Sequence, residues 1–166
     1  MDKIKKILAP TDLSELSQAG VRHALEIARS QEAEVIVYHV ISYEEANPHD
    51  EGFRGEFSSS RGFHLVKWLL QERQRLLAEY LMENFADIIP QCTIRQEVEV
   101  GLPYKRIVEK AVEEGVGMIV MSTHGRTGLL HMLIGSVTEK VVRRSTCPVL
   151  SIRPTKETKL AEASAG

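Results

Sequence analysis

Cysteine is nearly absent from this chain. The two that occur, Cys92 and Cys147, make no C-x-x-C pair and no zinc-type spacing. A disulfide framework and a cysteine-ligated metal are therefore not expected, and both thiols read as small apolar side chains in or near strands. Long apolar runs are missing as well: no stretch approaches the ~20 residues that a membrane span needs. Residues 1–8 carry lysines but neither an apolar h-region nor a small-residue cleavage site, so they read as the polar lead-in to a buried strand. The cytoplasm is the expected compartment. Charge of one sign is not in excess either. Formal net charge is −2 with both signs interspersed, which argues against a non-specific nucleic-acid binder.

The common catalytic and nucleotide motifs are also lacking. Without G-x-x-x-x-G-K-[ST] the chain is not a P-loop NTPase. Gly115 and Gly117 form a G-x-G, but it precedes a strand and lacks the third glycine of a dinucleotide fingerprint. No G-x-S-x-G and no H-E-x-x-H occur, and the six histidines are scattered, so no metal site or hydrolase triad is indicated.

What is present is an ordinary globular composition, 43% hydrophobic and 27% charged over 166 residues. That length suits one domain with a single core. The expected domain is 1–154, followed by a polar, frayed tail over 155–166.

Residues 4–9 form a short apolar run closed by Pro10, the first expected strand. Asp12-Leu13-Ser14-Glu15 reads as a capping box with Asp12 as N-cap. Leu16, Gly20, Ala24 and Ile27 then recur at helical spacing. Residues 35–41 are apolar on both faces, as strands are in a parallel sheet covered on each side. Residues 42–62 lack periodicity and read as a long loop. A helix is expected over 63–85, with Leu65, Leu69, Leu76, Leu77, Tyr80 and Leu81 as its apolar side. Phe53, Phe57, Phe63 and Trp68 could form a partner surface or cover the sheet edge. Residues 91–100 alternate as a third strand. Pro103 suits the first turn of the next helix, whose core face is Ile107, Val108, Ala111 and Val112. Residues 117–121 are a fourth strand, and 147–152 a fifth. Between them lie a Gly/Thr-rich loop, with a possible helical turn at 129–134, and a second capping box, Ser136-Val137-Thr138-Glu139. The latter opens a helix to about Arg144. The Arg143-Arg144 pair suits a helix C-terminus.

This β-α alternation predicts a three-layer α/β/α sandwich around a five-stranded parallel sheet. Ligands of such sheets bind beyond the carboxyl ends of the strands. Those ends are Pro10, Thr11 and Asp12, then Val40 and Ile41, then Val100 and Gly101, then residues 121–125. The segment Met121-Ser122-Thr123-His124-Gly125, nine residues, then Gly135-Ser136 carries the chemistry. A strand ends, a turn exposes backbone amides, and a helix begins with free N–H groups and a positive dipole end, a natural phosphate site. Glycine at 125 and 135 lets the backbone approach a ligand closely. Ser136 either meets phosphate or caps its own helix. Arg126 is either a phosphate donor or a solvated loop charge. At His124 the backbone matters more than the ring, and His39 reads as a hydrogen-bonded core histidine.

These segments resemble the universal stress protein family: 7–15, His39-Val40-Ile41, Val100-Gly101-Leu102-Pro103, the 121–139 loop and helix start, and Cys147-Pro148-Val149-Leu150. The resemblance covers about residues 3–153. It implies the five-stranded sheet, a homodimer paired through 147–152, and, in an ATP-binding subset, the pattern G-x-x-G-x(9)-G-[ST]. Gly125, Gly135 and Ser136 match that pattern, with Val137 and Thr138 beside them at the phosphates of ATP, and Mg²⁺ as its accompanying ion. The resemblance also implies Asp12 near ribose or adenine, Val40 at the adenine edge and Gly101 near the sugar. Ser122 stands where the pattern has its first glycine. Either its Cβ crowds the phosphates or its small hydroxyl is accommodated. The function implied is a nucleotide-binding regulatory module of stress response. The alternatives are a slow ATP hydrolase using Asp12 or a dimeric protein-interaction module.

Overall fold

Runs of β-branched and aliphatic residues set the strands, and helices lie between each strand and the next. The computed structural model describes residues 3–46, 60–126 and 134–154. Five strands, β1 (Lys6–Pro10), β2 (Glu34–Ile41), β3 (Thr93–Val100), β4 (Met118–Ser122) and β5 (Val149–Ile152), form one sheet in the order β3-β2-β1-β4-β5. Every pairing is parallel. The helices are α1 (Gln18–Gln31), α2 (Tyr43–Ala46), α3 (Ser60–Phe85), α4 (Pro103–Glu113) and α5 (Ser136–Arg144). The expected α/β sandwich is the observed fold.

Strand alternation sorts the core into two layers. Ile7, Ala9, Val35, Val37 and Val120 face α1 and α3, meeting Val21, Leu25, Leu77, Leu81 and Phe85. Leu8, Ile36, Tyr38, Ile119 and Met121 face the opposite way, onto Ile107 and Ala111 of α4 and Val141 of α5. Each such side chain, fully buried, contributes ~1.5–3 kcal/mol. The edge strand β3 alternates differently. Ile94 and Val98 pack on the first layer, while Arg95, Glu97 and Glu99 pair with Glu114 and Lys110 on the α4 side.

Several expected boundaries shift. The stretch 42–62 is not wholly loop: Tyr43–Ala46 is a helical turn, and α3 begins at Ser60. Residues 47–59, with Phe53 and Phe57, lie outside the described residues, as do the 127–133 part of the glycine loop and the tail from 155. The third strand starts at Thr93, after a 3-10 turn at Ile89–Gln91, and the fifth at Val149. Leu65 and Val112, expected in the core, are exposed, as is Trp68. Among the described residues no helix is long and apolar enough to cross a membrane.

Candidate functional site

Strand order reverses between β1 and β4. The chain leaves β1 toward β2 and β3, but β4 lies on the other side of β1. That divergence opens a crevice at the carboxyl ends. A cavity of about 190 Å³ lies there. Its apolar wall is Val40, Pro103, Ile107, Met121 and Val137; Pro10 and Tyr38 also line it.

The β1–α1 loop supplies the first polar wall. Asp12 is not a helix cap. Its Oδ1 accepts the backbone N–H of Ser14 at 3.0 Å and the Ser14 hydroxyl at 2.6 Å. Ser14 instead caps a 3-10 turn at Glu15–Ser17, and α1 follows. The short Asp side chain bonds forward to the next backbone amide but one, which favours a turn over a helix start. Between them Leu13 takes φ 65°, a left-handed conformation that non-glycine residues seldom adopt. Its N–H is held by Thr11 Oγ1, and Thr11 Oγ1 also lies 2.8 Å from Ser17 Oγ.

The β4–α5 loop supplies the second. Arg126 donates its backbone N–H to Asp12 Oδ2 at 2.6 Å and its Nε–H to the Asp12 carbonyl at 3.1 Å. Its guanidinium is ion-paired to Glu45 of α2. A Cβ on Gly125 would stand 2.2 Å from Asp12 Oδ2, so a larger residue there would displace the carboxylate that joins the two loops. Gly135 donates its N–H to the Thr123 carbonyl at 2.7 Å, and a Cβ there would approach the same oxygen to 2.9 Å. Gly135, not Ser136, is the N-cap of α5, and being glycine it offers no side-chain cap. The expected Ser136–Glu139 capping box is therefore absent. Ser136 is the first helical residue and exposed, so its hydroxyl is not used as a cap. The leading amides of α5 have no intrahelical partner and border the cavity through Ser136, Val137 and Thr138. Thr138 donates its hydroxyl to the Ser122 carbonyl at 2.9 Å, tying the helix to β4.

Ser122 directs its hydroxyl elsewhere. Its Oγ accepts the Gly20 N–H of α1 at 2.9 Å, buried. His124 is buried, its Nδ1 2.8 Å from Thr123 Oγ1. His39 is fully buried and donates Nδ1–H to the Thr11 carbonyl at 2.9 Å. Burial lowers its pKa below the usual imidazole value, outweighing that hydrogen bond.

Of the expected site residues, the structure gathers Pro10, Thr11, Asp12, Val40, Met121, Ser122, His124, Gly125, Arg126, Gly135, Ser136, Val137 and Thr138 around one cavity. Gly101 is not part of its wall; its N–H bonds the Ile41 carbonyl, and a Cβ would strike the Arg106 side chain at 2.6 Å. Sequence reasoning missed Ser17, Tyr38, Ser42, Glu45, Pro103 and Ile107, and gave Thr123 no role of its own within the 121–125 segment. Tyr38 was legible by alternation from Val40, and Ile107 by its one-turn spacing from Pro103. Glu45 and Ser42 had no signal, lying in a stretch without periodicity. Among the described residues no cluster of three or more His, Cys, Asp or Glu is arranged to hold a metal ion.

Comparison with known proteins agrees with this fold. Universal stress protein MJ0577 of Methanocaldococcus jannaschii is 34% identical over 155 residues, covering 90% of this chain and 94% of that protein. Its solved structure superposes with a TM-score of 0.75 at 31% identity, over 93% of this chain and 99% of that one. Two more distant structures share the fold. One is a universal stress protein in complex with cAMP, with TM-score 0.58 and 21% identity, covering 93% of this chain and 100% of that one. The other is the universal stress protein from Archaeoglobus fulgidus in complex with dAMP, with TM-score 0.52 and 19% identity, covering 92% and 99%. The sequence model described as Universal stress protein family matches residues 3–153, the whole sheet and both loops of the cavity. On that match and on the likeness to MJ0577, this chain belongs to the universal stress protein family.

Proposed function

We propose that this chain is a regulatory stress-response module that binds ATP, with Mg²⁺ as the accompanying ion, at the carboxyl ends of β1, β2 and β4. The observation that carries the reading is the uncapped start of α5. Gly135 brings the loop back against Thr123, and the residues that follow it line the cavity with no side-chain cap on the helix. Such a terminus favours phosphate by hydrogen bonding and by its dipole. The apolar wall of Val40, Pro103, Ile107 and Met121 suits a purine ring, and Asp12 on the same cavity is assigned to the ribose. The complexes of related folds with cAMP and dAMP point to the same ligand class. Binding rather than turnover is the favoured reading, because both oxygens of Asp12 are already engaged by Ser14 and Arg126.

The module is further proposed to act in the cytoplasm as a homodimer through the final strand. Calorimetric titration of the nucleotide-stripped protein with MgATP tests the binding. Saturable heat with a dissociation constant below about 1 mM is expected, and its loss in Gly135→Leu, which would meet the Thr123 carbonyl and fill the cradle. No heat, together with an unchanged melting temperature at saturating MgATP, would refute it.

A further inference from the structure

The cavity wall carries an unusual charge balance for a site read as taking a polyphosphate. Among the described residues that line it, Arg126 is the one lysine or arginine, against two carboxylates, Asp12 and Glu45. That one cation is already committed. Its guanidinium pairs with Glu45 and its Nε–H is spent on the Asp12 carbonyl. The pair spans two elements: Glu45 belongs to α2, after β2, and Arg126 to the loop after β4. Glu45 itself is incompletely satisfied. One oxygen meets Arg126, while Oε2 is buried with no hydrogen-bond partner among the described residues. The Arg126 side chain is 42% exposed, so an incoming anion can reach the guanidinium beside Glu45 and compete for it.

We infer that Glu45 is an internal competitor for the ligand's phosphates: it occupies Arg126 in the ligand-free protein and sets how strongly the cavity prefers anionic over neutral ligands. The inference rests on the nucleotide reading above. An arriving phosphate takes the guanidinium from Glu45, and the carboxylate left behind repels it. Affinity is thereby held below what the loop amides and Arg126 alone would give. The exchange also frees α2 from the β4–α5 loop, so ligand charge is read out as release of α2.

The test is a titration series with adenosine, AMP and MgATP on the wild type, Glu45→Gln and Glu45→Ala. Removing a negative charge near the phosphates strengthens binding in proportion to ligand charge. In both variants ATP should bind about tenfold tighter, AMP by a smaller factor, and adenosine within about twofold of wild type. General damage to the site would weaken all three together and would not produce this dependence on phosphate number. An unchanged ratio of ATP to adenosine affinity in both variants, with wild type binding normally, overturns the inference alone. Failure of the wild type to bind any of the three overturns the nucleotide reading and this inference with it.

Discussion

Ser122 and Gly20 show how much one contact can decide. Gly20 is the third residue of α1, and the N-cap of that helix, Ser17, makes no side-chain cap bond. Ser122 supplies the missing acceptor from β4, 102 residues away in sequence. Replacing it by alanine should therefore act as loss of a helix cap, costing ~1 kcal/mol of stability by urea denaturation. The approach that allows this bond leaves no room at Gly20. A Cβ there would sit 2.5 Å from the Ser122 nitrogen and 2.7 Å from the Met121 carbonyl carbon, both backbone atoms that cannot rotate away. Gly20→Ala should cost ~1–3 kcal/mol through overpacking, more than the far gentler change at Ser122. A melting temperature equal to wild type would show that α1 can shift off the sheet freely. The sequence pattern marked Ser122 only as a departure from a glycine motif. Its actual partner was unreadable, because the contact joins two elements whose spacing is fixed by the fold and not by local order.

At the scale of elements, strands were the most legible part. Residues 35–41 and 117–121 are apolar on both faces because helices cover both. Helix starts were less so: Asp12 and Ser136 both sit in good capping-box patterns, yet Ser14 and Gly135 hold the N-cap positions. Local propensity ranks the residues, and loop contacts to a second element choose among them. Helix α3 makes the same point, since periodicity puts Leu65 in the apolar stripe with Leu77 and Leu81, yet Leu65 is exposed while the other two are buried. Two elements also carry pH dependence. His39 in β2 is buried with its pKa lowered, so the unfolded chain binds its proton more readily than the folded one. Its contribution is complete above the unfolded value of about 6.5 and is lost as pH falls below it. His39→Gln should flatten the fall in melting temperature between about pH 7 and 5. Glu114, after α4, behaves as an acid. Hydrogen bonds from Arg95 of β3 and Lys6 of β1 hold its pKa down at about 2. Its stabilisation is present above the usual carboxylate range and lost as pH falls through it toward the folded value. Glu114→Gln should lower the melting temperature at pH 7, with an effect that shrinks as pH falls below about 4.5 and is lost only below the folded value of about 2.

For the whole molecule, the two edge strands of the sheet, β3 and β5, differ in chemistry, and that difference bears on assembly. A bare strand edge is a template for pairing with another chain unless charge or cover blocks it. The β3 edge carries Arg95, Glu97 and Glu99, bound into ion pairs with α4 and its neighbours. Adding a strand there would have to proceed beside that charged surface. The β5 edge, Val149–Ile152, carries no charged residue and leaves Leu150 exposed. If the chain pairs with a second copy, as proposed, β5 is the edge that permits it, and a two-fold arrangement would set Leu150 near its own counterpart. Leu150→Glu places two like charges across that seam and should convert a dimer to a monomer in sedimentation velocity at micromolar protein. The matching change on the other edge, Gln96→Glu, should leave the association state as it is. Loss of the dimer should also make the melting temperature independent of protein concentration, because folding is then no longer linked to association. A dimer that survives Leu150→Glu intact would move the interface to another face, and the exposed apolar residues of α3, Leu65 and Trp68, would be the next to substitute.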